Sequence, residues 1–210
     1  IDDKVYNPMM VMNRTSKFGE RPSSSSGFHY GIDLAGAEGV DKVWAIANGT
    51  VYNDPHKDKC TNAPNGCVNT VAEPLRSHTA PCKCGGGWGN HVIVEHWAKS
   101  GTGQKVYSIY AHLAAGSIPS WVKKKGTVGP HRDNDLTAIC TDADDKTVPC
   151  TYKFNYIGKV GNTGNSRGAH LHMEVRLGQP KGSKHSVDPE EYINMFYDPS
   201  GAKNETPPTT

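Results

Sequence analysis

The chain has 210 residues, which is enough for one domain with a sizeable core and too few for two domains of ordinary size. Its formal net charge is only +2 and its basic residues do not cluster, so no nucleic-acid partner is expected. With 23 glycines, 14 prolines and no run of about 20 apolar residues, the composition disfavours a helical bundle and a membrane-inserted protein, and it predicts strands joined by many turns.

The first quarter of the chain carries turn signals and one predicted hairpin. Residues 14–28 are polar and lack any alternation, so they are predicted to be irregular. The segment 42–53 contains Asn48-Gly49 between two short runs with strand character. Because this dipeptide readily adopts the two positive φ angles of a type I′ turn, the segment predicts a β-hairpin.

Three later segments alternate or run apolar and are rich in β-branched and aromatic residues, and we predict them to be strands: 90–97, 105–113 and 170–177. The polar segment 129–149 is predicted to be a solvated loop. A short helix is predicted over 189–197, capped by Asp188 and started by Pro189. The expected fold is mainly β, a single antiparallel sheet domain with long loops.

The cysteines are even in number and lie in turn-rich segments: Cys60, Cys67, Cys82, Cys84, Cys140 and Cys150. This pattern predicts loops pinned by disulfides in an oxidising compartment, whereas the alternative, a structural zinc site, lacks the usual paired C-x2-C spacing. Cys140 and Cys150 are predicted to pair, and the other four leave three connectivities open. Ile1 in place of Met is what removal of a signal peptide or propeptide would leave, so we expect a secreted, extracellular protein, with the cell wall and the periplasm as alternative locations.

The segment 170–177 has two histidines on what is predicted to be its chemical face. A period of two separates His170, His172, Glu174 and Arg176 from Leu171, Met173, Val175 and Leu177. The Cα atoms of His170 and His172 would be about 6.6 Å apart, so one ring can bind a metal while the other reaches the bound water. Glu174 would then orient a ligand histidine.

Two further segments offer metal ligands. In HYGID, His29 and Asp33 would lie about 13 Å apart along a straight strand, so the backbone must turn between them, and Gly31 offers the freedom to do so. In VYSIYAHL, alternation places His112 on the face that carries Ser108 and Tyr110. HYGID alone would read as an ordinary polar loop, but together the segments supply two histidines, an aspartate and an open fourth position, the pattern of a catalytic zinc site.

The motifs HYGID, YAHL and GNTGNSRGAHLHMEVR resemble, in this order, the H-x-G-x-D, Y-x-H-L and H-x-H motifs of lysostaphin-type zinc metallopeptidases, the group of LytM and the beta-lytic endopeptidases. TSKFGER, VWAIANGTV, WGNHVIVEH and VDPEEYI extend the likeness. The resemblance implies a lysostaphin-type fold, like a duplicated hybrid motif, over 14–197, with insertions at 54–87 and 129–151. Residues 1–13 are then an N-terminal lead-in and residues 198–210 a polar tail.

The resemblance also implies the chemistry. One catalytic Zn²⁺ would be held by His29, Asp33 and His172, with His112 and His170 as catalytic histidines. The expected activity is hydrolysis of peptide stems or cross-bridges of bacterial peptidoglycan by a monomer, with the preferred bond, Gly-Gly or D-Ala-linked, left open. The alternatives are a zinc-retaining, non-catalytic peptidoglycan-binding or activator module, and an endopeptidase that acts on glycine-rich proteins such as elastin.

Overall fold

The structure is a computed structural model that describes residues 5–21, 27–55, 87–96, 103–130, 137–141, 147–151 and 156–193, of which 137–141 and 147–151 are described by their backbone alone. The strands in chain order are β1 (Asn13–Ser16), β2 (Gly19–Glu20), β3 (Phe28–His29), β4 (Ile32–Ala35), β5 (Lys42–Val43), β6 (Gly49–Val51), β7 (Asn90–His96), β8 (Val106–Leu113), β9 (Thr127–Val128), β10 (Thr137–Thr141), β11 (Thr147–Thr151), β12 (Gly158–Lys159), β13 (His170–Leu177) and β14 (Ser186–Val187).

One antiparallel sheet organises the described residues. Its strand order is β1-β4-β13-β8-β7-β6-β9, and β14 pairs with β13 beyond the end of β4. The three predicted strands are β7, β8 and β13, which lie side by side in the sheet. The prediction of a mainly β, antiparallel fold is therefore confirmed.

The two faces of β13 have different surroundings, as the period of two predicted. Leu171, Met173 and Val175 are fully buried in the main core, together with apolar side chains of β4, β7 and β8. His172 and Glu174 lie on the opposite face, where a smaller apolar cluster forms around Ile93, Tyr107 and Ile109. This second face carries the candidate site.

The predicted hairpin over 42–53 is not formed. β5 pairs with β12, while β6 pairs with β7 and β9. Asn48 and Gly49 are absent from the described residues with positive φ, so they do not make a type I′ turn. An ideal Cβ on Gly49 would lie 2.6 Å from the carbonyl oxygen of Glu95, which shows that this glycine serves close packing of β6 on β7.

Three other local predictions are corrected. The irregular lead-in at 14–28 contains strand residues of β1, β2 and β3, because cross-strand pairing outweighs its weak local signal. The solvated loop at 129–149 contains β10, which pairs with β11. The helix at 189–197 is a single 3₁₀ turn, Pro189–Glu191, although Asp188 caps it as predicted by accepting from the backbone N–H of Glu190 at 2.9 Å; residues 194–197 lie outside the described part.

The predicted disulfides lie outside the residues whose side chains are described. The register of β10 and β11 places Cys140 opposite Val148 and Cys150 opposite Ala138, so both cysteines are on adjoining strands. Their pairing stays a prediction, as does that of Cys60, Cys67, Cys82 and Cys84. Within the described ranges, the helices are too short and too polar to cross a bilayer.

Candidate metal centre

Cross-strand register brings Asp33 and His172 together. They are directly opposite each other in the antiparallel pair β4–β13, so their side chains leave the sheet on the same face. His29, at the end of β3, reaches the same point because the chain bends at Tyr30 and Gly31 before β4 begins. The sequence prediction that the backbone turns between His29 and Asp33 is correct.

The predicted reason for Gly31 needs correction. Gly31 is absent from the described glycines with positive φ, so its conformational freedom is not what the turn uses. An ideal Cβ at this position would overlap the carbonyl oxygen of Met173 on β13. Gly31 therefore allows the HYGID segment to approach the strand that carries His172.

One atom each of His29, Asp33 and His172 lies at a corner of a small triangle. Nε2 of His29 lies 3.2 Å from Oδ1 of Asp33, and Nδ1 of His172 lies 2.9 Å from the same oxygen. The two ring nitrogens are 3.1 Å apart. Ligands bound tetrahedrally at zinc distances of about 2.0–2.1 Å would be about 3.3 Å from one another, so the triangle has the right size.

The outer nitrogen of each ring has a close partner that accepts a hydrogen bond. Nδ1 of His29 donates to the carbonyl oxygen of Lys17 at 2.7 Å, and Nε2 of His172 donates to Oε1 of Glu174 at 3.2 Å. In the neutral rings, the inner nitrogens therefore present lone pairs. Two lone pairs and a carboxylate oxygen face one another within hydrogen-bonding distance, an arrangement that a cation stabilises.

Charge around the ligand cluster also favours a cation. Burial raises the pKa of Asp33, but hydrogen bonds from His172 and His29, made when the inner nitrogens carry protons, outweigh it and hold the pKa well below its ordinary value. A metal cation would take the place of these protons and leave the inner nitrogens with the lone pairs that bind it. Burial lowers the pKa of His172, but the facing carboxylates of Asp33 and Glu174 raise it overall to about 9. The second carboxylate oxygen of Asp33 accepts from Nη2 of Arg21 at 2.9 Å, which leaves Oδ1 for the centre.

His112 reaches the site by an unexpected route. The face of β8 predicted to carry it is the core face, where Tyr110 is fully buried. His112 leaves that face because its backbone adopts φ 60°, in the left-handed region that few non-glycine residues occupy. Its ring centroid then lies 4.7 Å from that of His170 and 5.7 Å from that of His172. The predicted proximity of the histidines is correct, whereas the predicted face was wrong.

His112 and His170 are oriented alike. Nδ1 of His112 donates to the carbonyl oxygen of Thr163 and Nδ1 of His170 to that of Gly168, each at 2.7 Å. Each neutral ring therefore has its lone pair at Nε2, and Nε2 of His170 lies 3.5 Å from Oδ1 of Asp33. Burial and the neighbouring His172 and His170 lower the pKa of His112 to about 3, so this ring is neutral at physiological pH.

Glu174 is the centre of a network behind His172, and it makes the contact with that ring on which its predicted orienting role depends. Besides the contact with His172, its Oε1 accepts from Nε1 of Trp88 at 2.9 Å, and its Oε2 accepts from Nε of Arg176 at 2.7 Å. The guanidinium of Arg176 also stacks on the Trp88 ring at 4.9 Å from its centroid. Trp88 contacts both Glu174 and His112, because its carbonyl oxygen also accepts a hydrogen bond from the backbone N–H of His112 at 2.8 Å.

Sequence reasoning missed the supporting roles of Arg21, Trp88 and Thr163. Arg21 and Trp88 lie in segments that showed family likeness, but neither segment contained a pattern that indicated its contacts. Thr163 holds a turn in place by donating from Oγ1 to the carbonyl oxygen of Leu113 at 2.8 Å. These contacts join residues far apart in the chain, so no spacing rule could have predicted them.

No family model and no curated protein matches the chain. Similar solved structures include the catalytic domain of lysostaphin from Staphylococcus simulans, with 18% identity, a TM-score of 0.49 and coverage of 86% of this chain and 91% of that one. A catalytic domain variant of the prophage-encoded M23 protein EnpA from Enterococcus faecalis has 22% identity, a TM-score of 0.48 and coverage of 86% and 91%. A zinc-containing peptidase from Vibrio cholerae has 20% identity, a TM-score of 0.48 and coverage of 89% and 39%. Lysostaphin gives its name to the group of peptidases that the sequence motifs resemble.

Proposed function

We propose that this protein is a zinc-dependent endopeptidase that hydrolyses peptide cross-links of bacterial peptidoglycan. The observation that carries the proposal is the triangle of His29, Asp33 and His172, whose outer nitrogens are engaged so that three electron-pair donors face one another. Two imidazoles and one carboxylate leave a fourth position free, which is the donor set of a catalytic rather than a structural zinc site. The choice of peptidoglycan as substrate comes from the motif resemblance.

When bound at this triangle, Zn²⁺ would supply a water of lowered pKa and polarise the scissile carbonyl. The chain itself supplies the imidazoles of His112 and His170 beside that position. Nε2 of His112 and Nε2 of His170 can each take up the proton of the attacking water and return it to the leaving amine. The carbonyls of Thr163 and Gly168 keep both rings in the tautomer that this proton transfer requires.

Glu174, Trp88 and Arg176 would fix the orientation of His172. The carboxylate of Glu174 holds Nε2–H of that ring, and burial raises the pKa of Glu174 while hydrogen bonds from His172 and Arg176 lower it overall. Glu174 is therefore ionised and makes His172 a stronger electron-pair donor. Arg21 has the corresponding role for Asp33, because it engages the oxygen that points away from the triangle.

The deciding experiment measures new amino termini released from purified peptidoglycan by zinc-loaded protein, with and without a chelator, and identifies the fragments by mass spectrometry. We expect release that the chelator abolishes and that added zinc restores. Elastin is digested in parallel. Cleavage of elastin alone would favour a protein substrate, and binding of peptidoglycan without any release would favour the non-catalytic module.

We further propose that the protein acts outside the cell, with its six cysteines in disulfides. The even cysteine count in turn-rich segments is the support for this part of the proposal. Mass spectrometry of the protein purified from its natural source, with thiols alkylated before any reduction, checks it. We expect no alkylated cysteine and a linkage between Cys140 and Cys150.

A further inference from the structure

A large groove lies beside the metal ligands on the same face of the sheet. It has a volume of about 1040 Å³, and both Tyr30, next to His29, and Glu174, the partner of His172, line it. We name it the side groove and define it by three apolar and three cationic side chains: Tyr52, Trp88, Ile93, Lys124, Lys125 and Lys181. Its volume is slightly above the range of about 300–1,000 Å³ for small-molecule sites, so it suits a segment of peptide.

The acidic residues that line the side groove are already neutralised. Oε2 of Glu174 lies 2.6 Å from Nη2 of Arg176, and Oε1 of Glu95 accepts from Nζ of Lys105 at 2.9 Å. In contrast, Lys124, Lys125 and Lys181 are exposed and take part in no ion pair within the described ranges. The side groove therefore presents an uncompensated positive charge next to the reacting centre. This corrects the expectation that the basic residues do not cluster, because these three lysines line one groove.

Lys125 is held in place by an unusual backbone. It has φ 66°, and it shares the left-handed region with only one other described non-glycine residue, His112 of the site itself. Its backbone N–H donates to the carbonyl of Val51 at 2.8 Å, and Val51 N–H donates to the carbonyl of Gly126 at 2.8 Å. Glycine would adopt this turn with less strain, so the lysine is kept at a conformational cost, as functional residues often are.

We propose that the side groove binds a peptide segment that carries free carboxylates, and that the substrate of this enzyme is therefore an acidic stem peptide rather than a neutral glycine bridge. This inference rests on the proposed function. The apolar atoms of the segment would lie on Trp88 and Ile93, and its carboxylates would meet the three lysines. A glycine bridge has neither side chains for the apolar residues nor charges for Lys124, Lys125 and Lys181.

The test compares purified peptidoglycan with the same material after carbodiimide-mediated amidation of its carboxylates. Both are offered to the wild-type protein and to the variant Lys124→Gln/Lys125→Gln/Lys181→Gln, with release of amino termini and co-sedimentation as separate readouts. We expect amidation to slow the wild type by roughly tenfold, because each exposed charge pair contributes a modest factor. The triple variant should hydrolyse both materials at the rate of the wild type on the amidated one.

The matched control is Lys42→Gln/Lys123→Gln/Lys184→Gln, which removes the same charge from exposed lysines outside the side groove. It should keep the wild-type preference. Equal rates on both materials in the wild type, or a preference that survives in the side-groove variant, would overturn the inference. If zinc-loaded wild type releases nothing, the proposed function fails, and co-sedimentation alone then decides whether carboxylates and the three lysines govern binding.

Discussion

His172 and His112 lie on neighbouring strands of one sheet but are positioned in different ways. His172 is placed by regular antiparallel register, opposite Asp33 on one side and Ala111 on the other. His112 follows Ala111 in the chain and reaches the same face only through a left-handed backbone, with its N–H on the carbonyl of Trp88 and its ring on that of Thr163. The ligand cluster thus depends on strand pairing, and His112 depends on the loops around Gly89 and Thr163.

This difference predicts that a mutation in the ligand cluster abolishes both metal binding and hydrolysis, whereas a mutation of His112 lowers hydrolysis and leaves metal binding intact. Asp33→Asn should lose both, because it removes the negative charge that His29 and His172 face, and hydrolysis should fall at least about a thousandfold. His112→Ala should retain about one zinc per chain and lose hydrolysis by about 10²–10⁴-fold. Zinc content by elemental analysis, measured beside amino-terminus release, checks the separation.

Glu38→Gln is the control for Asp33→Asn, since it neutralises an exposed acidic residue just beyond the same strand. It should change neither readout. Loss of zinc from His112→Ala would mean that this ring is a ligand and that its assignment as a proton carrier is wrong.

Two glycines allow the same comparison without removing any ligand. An ideal Cβ on Gly31 would overlap the carbonyl of Met173, and one on Gly89 would overlap the carbonyl carbon of Thr163. In addition, Gly89 has a φ of 61°, which a residue with a side chain rarely adopts. Gly31→Ala should therefore weaken zinc binding, whereas Gly89→Ala should lower hydrolysis and spare zinc. We expect each to destabilise the fold by about 1–3 kcal/mol, measured by chemical denaturation.

Gly168→Ala is the matched control for zinc affinity and stability, because an added Cβ there meets no atom within 4 Å and the backbone carbonyl that accepts from His170 is kept. It should leave zinc affinity and stability near the wild-type values. If Gly31→Ala and Gly89→Ala lowered zinc binding and hydrolysis in the same proportion, the ligand cluster and the His112 loops would have to be treated as one unit.

The smallest expected effect concerns Trp88, which contacts both regions. Trp88→Phe keeps the backbone carbonyl that positions His112 but removes the Nε1–H that donates to Glu174. Loss of such a contact behind a ligand histidine should weaken zinc binding by about tenfold, the lower limit for these outer contacts. Competition with a chromogenic chelator measures the affinity.

Trp121→Phe, which changes an exposed tryptophan outside this network, should leave zinc affinity unchanged. An unchanged affinity in Trp88→Phe would show that the other donors to Glu174, Arg176 and Ser186, are sufficient to hold it.

Local sequence determined the parts of this protein that repeat a simple period. The alternation in 170–177 predicted which side chains of β13 are in the core and which face the site, because side chains alternate across a strand whatever its partners are. The same reasoning located β7 and β8, and the donor types in HYGID indicated a metal before any pairing was known. The choice of His29, Asp33 and His172 as the ligand set came from the motif resemblance.

Only the tertiary structure decided the features that depend on distant partners. Asn48-Gly49 favours a hairpin locally, yet Gly49 packs on Glu95, which is 46 positions away along the chain. The face on which His112 lies depends on its own left-handed backbone and on the carbonyls of Trp88 and Thr163. None of these features produces a periodic pattern in the sequence. Long-range pairing outweighs local preference at these points because each contact adds free energy that a short segment alone cannot supply.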